Sequence, residues 1–243
     1  MLFAVGAGDR VIGRTAYCNY PPAAESIAIV SDLQTPNYER LVSLRPDLVL
    51  MTFAGNSVAA YDKLVELGLE PFAIAAESIA GTLAAIDTVG LLVGRRDAAL
   101  SVSRAIRTTI DSIQSLAKAR ARVTTFVVLD RAPLMTVSGG FVNEALTIAG
   151  GENIAAGDLS AYPRYSREEV LRRDPEVIIV PGDSSISPAS LVESFPEWSR
   201  LRAVRNGRVY TIPPDVLFRP GPRLAQSIRL LYETLHPTDA LAK

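Results

Sequence analysis

The side chains that most often do chemistry are scarce in this sequence. Its 243 residues include one histidine, His236, directly before Pro237, and one cysteine, Cys18. Any histidine base would have to be His236, and a residue closing the last helix against a proline is poorly placed for proton transfer. A surface histidine is the favoured reading. A single thiol excludes an intrachain disulfide and a multi-cysteine zinc site, and it fits both the cytosol and many exported bacterial proteins. Glu168 and Glu169 form an acidic pair, but neighbours in sequence point to different faces of a helix. Ser138-Gly139-Gly140 ahead of a helix could offer backbone N–H groups to an anion, though a plain N-cap and turn is favoured. There is no G-x-S-x-G, no P-loop and no G-x-G-x-x-G after a strand. An enzyme on a doubly wound fold, such as a chelatase or a transferase, is therefore the weaker alternative.

The elements that must position any site are legible from periodicity. Hydrophobic residues make up 48% and charged residues 21%, ordinary globular proportions. The net charge of −1 gives no electrostatic case for nucleic acid or an anionic membrane. No apolar run reaches the roughly 18–20 residues of a membrane span, and Met1 opens into Leu-Phe-Ala-Val-Gly-Ala-Gly with no basic stretch. Met1–Val5 reads as a helix tail ended by Gly6 and Gly8. A strand over 10–14, a helix over 38–44 stopped by Pro46, and a continuous apolar strand over 48–53, buried on both faces, follow. Helices are expected over 56–67 and 78–93, with a strand over 71–75 between them. The longest pattern, 97–118, repeats Val102, Ile106, Ile110, Ile113 and Leu116 at helical spacing and contains neither Gly nor Pro. Beyond it strands over 123–129, 177–180 and 208–212 alternate with helices over 141–149, 167–173, 191–204 and 222–235. That alternation predicts parallel sheets covered by helices on both faces, an α/β fold. The long helix reads as a rigid connector, giving an N-terminal lobe 1–96, a connector 97–120 and a C-terminal lobe 121–243.

The two halves share a segment. Residues 37–50 align without gaps on 166–179: a short amphipathic helix, a proline stop at Pro46 or Pro175, an acidic Asp47 or Glu176, and an apolar strand. Glu39 and Glu168 occupy the same place in the first helical turn, where the helix dipole favours a carboxylate. The dipole explains an acid in either helix; a pseudo-twofold pair of lobes explains why both halves carry the same unit.

Taken together, Gly8-Asp9-Arg10-Val11-Ile12-Gly13, Tyr17-Cys18-Asn19-Tyr20-Pro21-Pro22, Asn37-Tyr38-Glu39-Arg40-Leu41, Leu44-Arg45-Pro46-Asp47-Leu48-Val49, Ala149-Gly150-Gly151-Glu152-Asn153-Ile154 and Ser166-Arg167-Glu168 resemble the cobalamin- and ferric-siderophore-binding proteins of ABC importers. The resemblance covers nearly the whole chain. It implies a class III periplasmic binding protein, with two α/β lobes joined by one rigid helix and a ligand cleft between them. It implies a monomer that hands a metal chelate (cobalamin, a ferric siderophore or haem) to a membrane permease. Docking would use one glutamate per lobe, here Glu39 and Glu168. The chain would hold no cofactor or metal of its own, because the metal arrives already chelated.

Positions that match the family's cleft are Tyr17, Leu33, Met135, Tyr162, Arg164, Asp215 and Arg219. Tyr162 stands where cobalamin binders carry a large aromatic, and Leu33 replaces another. Arg131, Arg164 and Arg219 could donate charge-assisted hydrogen bonds to carboxylate or catecholate oxygens. The resemblance also implies a signal peptide, a first strand and the start of the first helix ahead of Met1. A mis-assigned start or a truncated chain accounts for their absence better than a natural cytosolic form. A first lobe lacking that strand would expose a sheet edge. A ligand-binding sensor without transport is the remaining alternative; it would keep the cleft but not need both glutamates.

Overall fold

A computed structural model describes residues 1–32, 34–182 and 188–237. The chain forms two compact units, Met1–Ser103 and Arg104–Lys243.

The first unit opens on the predicted helix tail. Ala7 N–H donates to Leu2 O at 2.9 Å and Gly6 N–H to Phe3 O at 3.1 Å. Gly6, at φ 75, takes the left-handed conformation that this C-terminal turn requires. Parallel pairs β1 (Arg14–Thr15) with β2 (Ile29–Ser31), and β3 (Val49–Thr52) with β4 (Pro71–Ile74), form two small sheets. Around them lie α1 (Tyr38–Leu44), α2 (Val58–Glu66) and α3 (Ile79–Leu92). The side chains of Asn37, Ser57 and Ser78 cap the first turns of these helices. The core between them is Val30, Leu41, Met51, Ala60, Leu64 and Leu69.

Two expectations change here. The strand predicted over 10–14 is confined to the two residues of β1, and the apolar run 48–53 is not buried on both faces. Only Met51 of β3 is buried, and Phe53 beyond it is 64% exposed. The cause is pairing: among the described strands β3 has one neighbour, β4.

The longest helix, α4 (Arg96–Lys118), has 23 residues, about 34 Å at ~1.5 Å per residue. The boundary between the two units falls inside it, after Ser103. Within the first unit α4 meets α3 closely. A Cβ on Gly90 would lie 2.2 Å from Ala99 Cβ, so only glycine permits the approach, and Ser103 Oγ donates to Asp87 at 2.6 Å. The buried stripe of α4 is Ala99, Ser103, Ile106, Ile113 and Ala117. It is rotated from the predicted one, for Leu116 is exposed. Small residues let the neighbouring elements come close, and apolarity alone does not reveal that.

The second unit is built on a five-stranded sheet. Its path runs β6 (Leu134–Thr136), β5 (Val123–Arg131), β8 (Val177–Pro181), β9 (Val209–Ile212), and β7 (Gly151–Asn153) pairs the lower part of β5. All pairs are parallel except β5–β6. The helices are α5 (Gly140–Ile148), α6 (Arg167–Arg173), α7 (Pro188–Ser194), α8 (Arg202–Arg205), α9 (Pro214–Leu217) and α10 (Leu224–Leu235). One core joins Phe126, Val128, Ile178 and Val180 of the sheet to Val170 of α6 and to Leu191, Phe195 and Trp198. Trp198 stacks on Phe195 at 4.4 Å and meets Phe126 edge-on at 6.1 Å.

His236 ends α10 as expected, but it is 8% exposed rather than on the surface. Its Nε2 lies 3.2 Å from Ala149 O. Gly150, at φ 89, makes the room, since a Cβ there would sit 2.9 Å from that nitrogen. Ser138 is likewise not a cap. Its hydroxyl donates to Ser160 O at 2.6 Å, and Gly139 stands at the N-cap of α5.

Candidate functional site

In an α/β sheet, ligand contacts collect beyond the carboxyl ends of parallel strands. Some of the residues singled out from the sequence fall there, among them Tyr17, Asp215 and Arg219. Tyr17 lies two residues past β1 and is half exposed. Its loop is fixed by Arg14, an organiser that carries no recognisable signal in the sequence. That guanidinium donates to the carbonyls of Thr15, Ala16, Glu25 and Ile27 at 3.0–3.2 Å. Cys18 is exposed, with Sγ 3.2 Å from Thr15 Oγ1. Asp32, directly after β2, accepts the N–H groups of Gln34 and Thr35 at 2.8 and 2.6 Å. Those two bonds hold its carboxyl below the usual range. Leu33 lies outside the described residues. Phe53, past the end of β3, is an exposed aromatic on the same strand edge that sequence reading assigned to a buried run.

In the second unit Met135, Tyr162 and Arg164 are brought onto one surface. Residues 161–165 run antiparallel beside β6. Thr136 N–H donates to Pro163 O at 3.1 Å, Tyr165 N–H to Leu134 O at 3.0 Å, and Ser138 N–H to Ala161 O at 3.1 Å. Met135 directly opposes Arg164. Side chains alternate along each strand. Leu134 and Thr136 are buried, and Tyr165 packs on Phe126 with ring centroids 5.7 Å apart. Met135, Arg164 and Tyr162 therefore share the opposite face, where Tyr162 and Arg164 are exposed. Burial pushes the Tyr165 phenol up to about 12, helped by its hydrogen bond to Asp158, so it stays neutral.

The Ala149–Ile154 motif has a structural reason in this arrangement. Asn153, at the end of β7, donates to Val137 O at 2.7 Å and to Asn143 Oδ1 at 3.0 Å, and accepts Ala155 N–H at 3.0 Å. It ties the end of β7 to Val137 and to α5.

Asp215 and Arg219 lie past the carboxyl end of β9 and form an ion pair at 2.7 Å. Asp215 O also accepts Arg223 Nη2 at 2.9 Å. Sheet order puts two strand spacings, roughly 10 Å, between β9 and β5. One edge of this sheet thus presents an aromatic ring, a thioether and guanidinium groups. Such a surface can cover a large amphipathic molecule and donate to its peripheral oxygens. Among the described residues no cluster of three or more His, Cys, Asp or Glu could hold a metal ion. No described helix is long and apolar enough to cross a membrane.

Glu39 and Glu168 occupy matching places. Each is exposed and is the second residue of its helix. Asn37 Oδ1 accepts Arg40 N–H at 3.0 Å, and Ser166 Oγ accepts Glu169 N–H at 3.1 Å. Each helix ends on a left-handed residue before proline: Arg45 at φ 49 and Asp174 at φ 41, the only non-glycine residues at positive φ among those described. The ring of a following proline disfavours the right-handed helical conformation there. The repeat read from sequence is therefore a repeat of cap, turn, kink and strand.

Glu168's own N–H and the Ser166 hydroxyl lower its carboxyl from the usual range. Glu169 is instead bound by Arg172 and Arg173, which bring its carboxyl down to about 2. The adjacent glutamates thus differ in availability as well as direction.

A family model described as periplasmic binding protein matches residues 1–216. The vitamin B12-binding protein of Photorhabdus laumondii is 30% identical over 241 residues, 97% of this chain and 84% of that protein. An uncharacterized ABC transporter substrate-binding lipoprotein of Bacillus subtilis is 28% identical over 243 residues, 97% of this chain and 76% of that protein. In fold the chain is similar to the apo periplasmic heme-binding protein of Roseiflexus sp. RS-1. That likeness has a TM-score of 0.87 at 20% identity, covering 97% of this chain and 93% of the other. The fold is α/β of the class III type, and because the family model spans most of its length, the chain belongs to the periplasmic binding protein family, which is made of substrate-binding proteins.

Proposed function

We propose that the protein is the substrate-binding component of an ABC importer for a metal chelate: cobalamin, a ferric siderophore or haem. It works as a periplasmic monomer without a cofactor of its own, the metal being part of the cargo. The observation that supports this reading is the placement of Tyr17, Asp215 and Arg219 past the carboxyl ends of β1 and β9, with Met135, Tyr162 and Arg164 sharing one face where β6 meets residues 161–165. The 30% likeness to a vitamin B12-binding protein over almost the entire chain supports cobalamin as the first ligand to test. Glu39 and Glu168 dock the permease. Exposed ion pairs are worth only about 0.2–1 kcal/mol, but pairs desolvated in an interface couple by roughly 1.5–7 kcal/mol.

Thermal unfolding with cobalamin, haem and several ferric siderophores tests the ligand. A ligand at 100 times its Kd stabilises by about 2.7 kcal/mol, enough to raise the Tm by several degrees. No shift with any of them overturns the chelate reading. Glu39→Arg with Glu168→Arg should abolish uptake and leave that shift intact. A protein that binds but whose uptake survives the double change is a sensor or docks by other residues.

A further inference from the structure

Three arginines stand on α6, and the contacts of each are with groups other than Glu168. Arg167 lies 3.5 Å from Glu197, with its guanidinium 4.7 Å over the Phe195 ring. Arg173 donates to Glu169 at 2.6 Å and to the Ile154 carbonyl, and stands over the Tyr165 ring. Arg172 donates twice to Glu169, Nε to Oε2 at 2.8 Å and Nη2 to Oε1 at 2.5 Å. Arg172 is the least anchored of the three: its side chain is 68% exposed, and its hydrogen bonds and ion pair all go to Glu169. It also stands four residues after Glu168, the spacing at which an acid followed by a base pairs best on a helix. A bidentate grip on Glu169 prevents that pairing.

We propose that Glu169 is a positioning residue for docking, which holds Arg172 away from Glu168 and so keeps the docking carboxylate unmasked. The inference rests on the docking role proposed for Glu168. Without Glu169, Arg173 keeps Ile154 and Tyr165 as partners, whereas Arg172 is released to pair with Glu168, four residues before it. The first unit has no equivalent competition, because the positions matching Arg172 and Arg173 are Ser43 and Leu44.

The test uses the whole protein with Glu169→Gln, Arg172→Ala, Glu168→Gln and the double variant Glu169→Gln/Arg172→Ala. The side-chain carboxylate of Glu168 is titrated by carbon NMR. In the parent protein, removing Arg172 leaves the Glu168 midpoint in place. In the Glu169→Gln background, removing Arg172 raises it. An unchanged midpoint in that background overturns the clamp whatever Glu168 does in transport. With the reconstituted importer complex, Glu169→Gln should raise the concentration needed for half-maximal ATPase stimulation by about two- to threefold, the scale of one exposed ion pair. The double variant should return to the parent value. A purely structural role for Glu169 predicts no rescue. If Glu168→Gln leaves stimulation unchanged, the docking reading fails, and the NMR result still decides whether Glu169 restrains Arg172.

Discussion

The segment 37–52 of the first unit and the segment 166–181 of the second are built by the same local rules and live in different surroundings. Both have a side-chain N-cap, a seven-residue helix, a left-handed residue before proline and a strand. In the second unit the strand is central, paired with β5 and β9, and Val177, Ile178 and Ile179 are completely buried. In the first unit the strand pairs, among the described strands, with β4 alone, and the residues matching them, Leu48, Val49 and Leu50, are partly exposed. The kinks differ as well. Asp174 accepts Arg202 N–H at 2.8 Å and its side chain pairs with the Arg202 guanidinium at 2.9 Å, whereas among the described residues the Arg45 side chain makes no hydrogen bond or ion pair. Equal local codes therefore do not carry equal energetic weight.

Substitutions at matched positions would break or sharpen that contrast. The largest difference is expected in the strands. Ile179→Ala removes a fully buried side chain and should cost about 2–5 kcal/mol, seen as an earlier urea transition of Trp198, the sole tryptophan and part of the second unit's core. Leu50→Ala should cost less, about 1–2 kcal/mol, because part of that side chain already meets water; equal losses would show that β3 is covered as fully as β8. The caps should behave alike: Asn37→Ala and Ser166→Ala should each cost about 1 kcal/mol in thermal unfolding.

The kinks should respond with opposite signs. Arg45→Gly relieves a left-handed backbone worth about 1–2 kcal/mol against about 0.4–1 kcal/mol of added chain entropy, so stability should hold or rise slightly. Asp174→Gly gains the same relief but loses the Arg202 contacts, and should end roughly 0.5–1 kcal/mol less stable. The smallest effect is acid sensitivity. The Glu169 carboxyl lies below its ordinary 4.5, at about 2. Its contribution is therefore complete above about pH 4.5 and is lost as pH falls toward 2. Stability in that window should decline less steeply in Glu169→Gln than in the parent protein, and Glu39→Gln serves as the comparison in the first unit.

Most helices were readable because capping residues, prolines and glycines act through neighbours a few positions away. Asn37, Ser57, Ser78 and Ser166 each cap the helix that periodicity predicts. Short strands were harder. β2, β6 and β7 have three residues each, too few to show alternation. The candidate site was legible only through family resemblance. Tyr162 and Arg164 lie almost thirty positions from Met135, and it is the hydrogen bonds of residues 161–165 to β6 that put them on one face. The burial of His236 was hidden for a similar reason, since it depends on the space left by Gly150, 86 positions earlier.

The sequence by itself determined the α/β alternation, the long glycine- and proline-free helix, and the repeated cap, kink and strand that place Glu39 and Glu168. All of these follow from forces acting within one or two turns of chain. Only the tertiary structure decided which strand is central and which side chains meet at the carboxyl edge of the sheet. Those outcomes depend on pairing and packing between residues distant in sequence, and a local pattern does not encode its distant neighbours.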